Sequence, residues 1–231
     1  MRIVVILMLA LLTALVLSNE VSAQSWDFVY EGDKIPDENE WEIFMTAGMK
    51  VSDVCEVAAD GSLHITDPAD KVCFFLPEVD GVETGTIEAR VKVLSQAGVD
   101  YTILFGIEDT VSDAWIGLFP DHVAVGDAQT RHDVDMTDYH TVRLTKEGTE
   151  FILYVDDEEV LDGTLATTTD RAGTIIFGSG STGGTGEHYW DYVVYTAGGA
   201  FSPEELLNYP STLAIESRGK AATCWGMLKS R

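Results

Sequence analysis

Positive charge is scarce in this chain. Fourteen Lys and Arg stand against 39 Asp and Glu, a net charge of −25 over 231 residues. So acidic a protein lacks the basic patches that nucleic acid and anionic membranes require, and suits neutral or cationic partners. Cysteine is nearly absent: Cys55, Cys73 and Cys224 are all there is. No amphipathic helical pattern exceeds about ten residues, and no repeat with a period of about 20–50 residues is present. The nucleophile motif G-x-S-x-G and the zinc motif H-E-x-x-H are missing. His64, His122, His132, His140 and His188 lie at no ligand spacing. Beyond the N-terminus, no stretch is apolar for the roughly 20 residues that a membrane helix needs.

What is present begins with an export signal. Arg2 is a positive n-region, Ile3 to Leu17 an apolar run too short to span a bilayer, and Val21-Ser22-Ala23 a small-residue cleavage site. Residues 1–23 therefore read as a signal peptide. The expectation is a secreted protein with no membrane insertion after cleavage. Its removal takes away one Arg and one Glu, so the net charge stays at −25.

Turn signals recur along the rest at Gly32, Asp60-Gly61, Asp80-Gly81, Gly98, Gly148, Asp162-Gly163 and Gly183-Gly184. Short β-branched and aromatic runs lie between them. This rhythm predicts an all-β sandwich or barrel. Strands are expected near 26–30, 41–45, 54–58, 62–66, 72–76, 85–94, 99–107, 114–119, 122–126, 139–146, 150–156, 159–163, 173–178 and 188–196. Residues 24–200 form the sandwich on this reading, and 201–231 a tail. Ser202-Pro203-Glu204-Glu205 opens that tail as a short helix, with an N-cap Ser and Pro at the first helical position. Cys55 and Cys73 sit in short β-like runs that neighbouring strands would bring together, and export permits a disulfide between them.

Gly85-Thr86-Ile87-Glu88-Ala89-Arg90-Val91-Lys92-Val93 alternates at a period of two. It also resembles the G-x-[IVF]-E-A-R-[VI]-K strand of the concanavalin A-like lectin/glucanase superfamily. Tyr139-His140-Thr141-Val142-Arg143-Leu144, Phe151-Ile152-Leu153-Tyr154-Val155-Asp156 and His188-Tyr189-Trp190-Asp191-Tyr192-Val193 are similar to later strands of its laminin-G-like members. The resemblance covers residues 26–197. It implies a two-sheet antiparallel jelly-roll whose first and last strands pair. It implies a saccharide as the usual partner, and calcium as a frequent cofactor, for which Asp33 and Asp191 are the candidate ligands.

Glu78-Val79-Asp80-Gly81-Val82-Glu83 spells the E-x-D-x-x-E of family-16 glycoside hydrolases. It departs from that family in order, preceding the Glu88-Arg90 strand, and Asp80-Gly81 reads as a turn. Where the family's motif belongs lies Phe105-Gly106-Ile107-Glu108-Asp109, which does not alternate acids. Gly178-Ser179-Gly180-Ser181-Thr182-Gly183 spells a dinucleotide fingerprint, but no helix follows it.

If Ile87, Ala89, Val91, Val142, Leu144, Leu153 and Val155 point inward, Arg90, Arg143 and Tyr154 share the opposite face. Trp190 and Tyr192 share one face of the last strand. The superfamily's sugar-binding sheet makes Arg90, Arg143, Tyr154, Trp190 and Tyr192 the candidate ligand-binding residues. Rings stack on pyranose faces and Arg donates to hydroxyls or carboxylates. On this reading, Arg143→Ala weakens binding and spares folding. Three functions remain: non-catalytic glycan binding, hydrolysis of the family-16 or 3-keto-disaccharide hydrolase kind, and protein-binding adhesion.

Overall fold

The computed structural model describes residues 25–37, 39–68, 71–98, 102–110, 112–125, 130–165, 173–179 and 184–205. The expected signal peptide, Cys224 and most of the expected C-terminal helix lie outside them. Among the described residues are fifteen strands: β1 (Phe28–Tyr30), β2 (Glu42–Met45), β3 (Cys55–Val57), β4 (Leu63–Asp67), β5 (Cys73–Leu76), β6 (Thr84–Ala97), β7 (Ile103–Glu108), β8 (Ala114–Leu118), β9 (His122–Val125), β10 (Thr130–Asp133), β11 (His140–Glu147), β12 (Glu150–Val155), β13 (Glu158–Thr164), β14 (Thr174–Ser179) and β15 (Thr185–Thr196). Only β10 falls outside the expected positions. Its sequence, Thr-Arg-His-Asp, has no apolar face to announce it, and it exists by pairing with the edge of β9.

The strands form two antiparallel sheets. The larger runs β13-β12-β11-β6-β15-β4-β3, with β1 also on β15. The smaller runs β10-β9-β8-β7-β14-β5-β2. The first and last strands pair as expected, Phe28 opposite Tyr195 and Tyr30 opposite Val193. Alternation on β6 buries Ile87, Ala89, Val91 and Val93 completely. Phe75, Phe105 and Phe177 rise from the smaller sheet to meet them, with Tyr30 and Trp190 from the larger. Edge-on rings join Trp41 to Tyr30, Phe75 and Phe177. At about 25 cal/mol per Å² of apolar surface removed from water, this continuous core is the main source of stability.

Asp80-Gly81 is a turn, as the sequence predicts. Gly81 has φ +71, and its carbonyl accepts from the Tyr195 hydroxyl at 3.2 Å. Glu78 and Glu83 therefore do not lie along one strand. At the C-terminal end, Ser202–Glu205 is a turn closed by the Glu205 carboxylate, which accepts from the Ser202 amide at 2.8 Å. Among the described residues no helix is long and apolar enough to cross a membrane.

Candidate functional site

The outer face of the larger sheet divides into two parts. Around Arg143 it is closed. Arg143 and Glu88 face each other across β11 and β6. The guanidinium donates to Glu88 Oε2 through Nε at 2.7 Å and Nη2 at 2.6 Å. Its Nη1 donates to the Ser202 carbonyl at 2.8 Å. Tyr192 donates to the other Glu88 oxygen at 2.8 Å. The Trp26 ring lies 6.0 Å from the guanidinium. Only 1% of Glu88 and 5% of Arg143 is exposed, so Arg143, a candidate sugar contact, lies inside a structural network. Tyr154 is buried beside them, and burial followed by the Glu159 charge pushes its phenol up. The cover is the 199–202 segment, tied down by Thr86, whose hydroxyl donates to the Gly199 carbonyl and accepts from the Phe201 amide.

Trp190 corrects a second expectation. It does not share a face with Tyr192. A bulge between them places Trp190 opposite Val91 and Tyr192 opposite Arg90. The extra residue reverses the alternation, so Trp190 is wholly buried in the core while Asp191 and Tyr192 lie outside it. Arg90 takes the Asp191 carboxylate at 2.7 Å. Among the described residues no group of three or more His, Cys, Asp or Glu is placed to hold a metal; of the two calcium candidates, Asp191 is engaged by Arg90.

The open part of this face is a ladder of rings and cations. His64 stacks on Tyr189 at 4.1 Å and 8°. The Lys92 ammonium lies 4.0 Å from the Tyr189 ring centre and 4.8 Å from that of Tyr139. Arg90 covers Tyr139 at 4.4 Å. The Tyr139 hydroxyl bonds Asp60 and Ser62, and burial pushes its phenol up. These ring faces are taken by the protein's own side chains.

The outer face of the smaller sheet is different. Its pairing register lines up Phe44, Phe74, Gly178, Leu104, Gly117, Ala124 and Arg131 across seven strands. The next row reads Ile176, Gly106 and Trp115, with Glu42 opposite Leu76 at the β2 side. Phe74, Leu76, Leu104 and Ile176 pack together with Val72 and Trp115 at their margin. Phe44 is 49% exposed. Gly106 is required there: a Cβ would lie 2.1 Å from the Ala114 carbonyl oxygen. The result is an apolar row from Phe74 to Trp115 in which Leu104 and Ile176 stand between the glycines, and Phe74, Leu76, Leu104 and Ile176 are themselves buried against one another. The Trp115 indole N–H is buried and has no hydrogen-bond partner among the described residues. In a third row Thr174 separates Glu78, which is exposed, from Glu108, which is fully buried. Strand-interior glycines mark close approach of a backbone or ligand, and Gly106, Gly117 and Gly178 were the signal in the sequence for this face.

The ends of the sandwich hold buried ionisable groups. Lys146 is fully buried, bonded to Asp109 and to the Val82 carbonyl. At the other end Ser179 donates to Asp67 across the two sheets at 3.0 Å. Burial lifts the Asp67 carboxyl to about 6, with the Ser179 bond opposing it. Burial pushes the His188 imidazole down to about 3. Trp190 donates to its Nδ1 at 2.7 Å, which leaves the ring proton on Nε2.

The two groups act in opposite senses. The stabilisation from protonated Asp67 is full below about 4 and lost as pH rises through 6. That from neutral His188 is present above about 6.5 and lost as pH falls towards 3. Asp67→Asn is therefore expected to match wild type near pH 4 and to exceed it by about 1–3 kcal/mol at pH 8. Urea unfolding at both pH values measures this. A variant less stable at pH 8 refutes it.

No family model matches the chain, and no curated protein matches it. Solved structures do. A glycosyl hydrolase family protein from Mycobacterium fortuitum aligns with TM-score 0.52 at 16% identity, covering 74% of this chain and all of that one. A carbohydrate esterase from the Shiga toxin-encoding bacteriophage phi24B aligns with TM-score 0.52 at 15% identity, covering 74% and 97%. A structure of the endo-acting O-glycanases that human gut microbiota express to initiate mucin breakdown aligns with TM-score 0.52 at 13% identity, covering 75% and 99%. At these identities the likeness shows a shared β-sandwich fold, and function rests on the site.

Proposed function

We propose that this protein binds a polysaccharide on the outer face of its smaller sheet and does not cleave it. The observation that carries this reading is the apolar outer face of this sheet, where the register sets Phe44, Phe74, Leu104 and Trp115 beside Gly178, Gly106 and Gly117 and leaves Phe44 half exposed. A saccharide needs a flat apolar floor for its C–H faces, rings at the margin for stacking, and a few polar groups for its hydroxyls. The Arg131 guanidinium, 3.3 Å from the Asp133 carboxylate, supplies donors, and Glu78 supplies an acceptor. That three similar folds carry carbohydrate activities in their names supports the ligand class. The overall charge of −25 favours a neutral chain over a uronate-rich one.

A second reading, hydrolysis, is favoured by one observation: Glu78 and Glu108 share one row across the width of β14. Two strand spacings of about 4.7–4.9 Å put their backbones near the upper end of the separation of about 6.5–9.5 Å that inverting glycosidases use between carboxyls.

Phe44→Ala tests the binding reading with little risk to the fold, because its ring is half exposed. It is expected to weaken binding of a responsive polysaccharide about fivefold to tenfold, about 1–1.5 kcal/mol, with an unchanged unfolding midpoint. Titration calorimetry reads this. Unchanged affinity moves the site elsewhere.

A further inference from the structure

We propose that Cys55 and Cys73 form a disulfide that staples the two sheets together, made during folding in an oxidising compartment. The sequence suggests neighbouring strands, but the topology is otherwise. Cys55 lies on β3 of the larger sheet and Cys73 on β5 of the smaller. Their sulfurs face each other across the core, 4.0 Å apart. They are free thiols in this structure, 4% and 2% exposed.

The surroundings hold the pair in register. Cys55 is opposite Ile65 on β4, and Cys73 is opposite both Ser179 on β14 and Met45 on β2. Ser179 in turn reaches back across the sandwich to Asp67 on β4. The two sheets thus meet at this end through two contacts on neighbouring strands, β3 to β5 and β4 to β14. To bond, the sulfurs close from 4.0 Å to about 2 Å. Among the described residues, no metal-ligand cluster competes for them.

The folded protein does not readily make this bond. The Cys73 contact, burial and the Cys73 charge all push the Cys55 thiol up, and the thiolate is the species that reacts. The chemistry therefore belongs to the stage before the core closes. Cys55 thiolate attacks a disulfide-bearing oxidant, such as oxidised glutathione or the disulfide of a thiol oxidase, and one thiolate leaves. Cys73 thiolate then attacks the mixed disulfide and the second thiolate leaves. Two S–H bonds are lost, one S–S bond forms, and the two electrons reside in the reduced oxidant. The bond closes a loop between positions 18 apart and removes that freedom from the unfolded chain.

The test uses the full chain with Cys224→Ser, refolded from denaturant with either oxidised glutathione or excess reductant. Oxidative refolding is expected to give a product lighter by about 2 Da with no alkylatable thiol after denaturation. Its unfolding midpoint should be about 5–10 °C above that of the reduced form. Adding oxidised glutathione to the folded reduced protein should convert it at least tenfold more slowly. Cys55→Ala/Cys73→Ala in the same background should fold and lose the difference between the two conditions. Recovery of Cys55 and Cys73 as free or glutathione-capped residues after oxidative refolding overturns the proposal, as does a bonded product no more stable than the reduced one.

Discussion

Arg143→Ala is expected to lower the unfolding free energy by about 3–5 kcal/mol, the range for removing one partner of a buried ion pair. In a domain of this size that is about 6–20 °C in midpoint. The cause is what remains. Glu88 keeps its carboxylate at 1% exposure, bonded to the Tyr192 hydroxyl but without the guanidinium that neutralises it. The Ser202 carbonyl also loses its donor, so the 199–202 cover loosens. Glu88→Leu/Arg143→Met, which removes both charges, should recover most of the loss, because apolar groups of similar volume replace a buried pair at little net cost. Thermal unfolding of the three proteins decides this. A loss under about 1 kcal/mol in Arg143→Ala would return this residue to the role of an exposed sugar contact.

Lys146→Met should be comparably damaging, again about 3–5 kcal/mol. Lys146 is fully buried, and its ammonium is bonded to Asp109 and the Val82 carbonyl. Asp109 also accepts from the Ser112 amide at 2.6 Å, which caps the connection between β7 and β8. Removing the ammonium leaves the Asp109 carboxylate in the interior without the charge of Lys146. Asp109→Asn/Lys146→Met should restore about half of the loss, since the amide keeps the Ser112 bond. Chemical unfolding reads both. Equal instability of the single and double variants would mean that Lys146 acts by packing alone.

Much of the architecture was legible because alternation is a local property. Ile87, Ala89, Val91 and Val93 announce the core face of β6 unaided, and the order of the family-like strands predicts that β1 pairs with β15. The failures share one cause, which is distance along the chain. Arg143 was correctly placed on the outer face, but its cover comes from residues about 58 positions away. Trp190 was misplaced by a single bulge at Asp191, a feature set by pairing with β6, β4 and β1 on the two edges of one strand. Cys55 and Cys73 were seen as a pair, while their membership of opposite sheets depends on topology. The smaller sheet's face was overlooked although Gly106, Gly117 and Gly178 interrupt otherwise apolar strands. Each reads alone as a weakness in a strand, and only register shows that they form one floor.

The central claim is that the smaller sheet's outer face binds a polysaccharide without cutting it. The most direct measurement is affinity electrophoresis and titration of the full chain against a panel of neutral and acidic polysaccharides, with product analysis of each mixture. The account predicts retention by at least one neutral polysaccharide and no new reducing ends or unsaturated products. It predicts loss of retention by about tenfold or more in Trp115→Ala, with Tyr189→Ala on the other sheet unaffected. No retention across the panel, or retention abolished by Tyr189→Ala and kept by Trp115→Ala, would contradict it. So would cleavage products that vanish in Glu78→Gln or Glu108→Gln, which would make the face an active site.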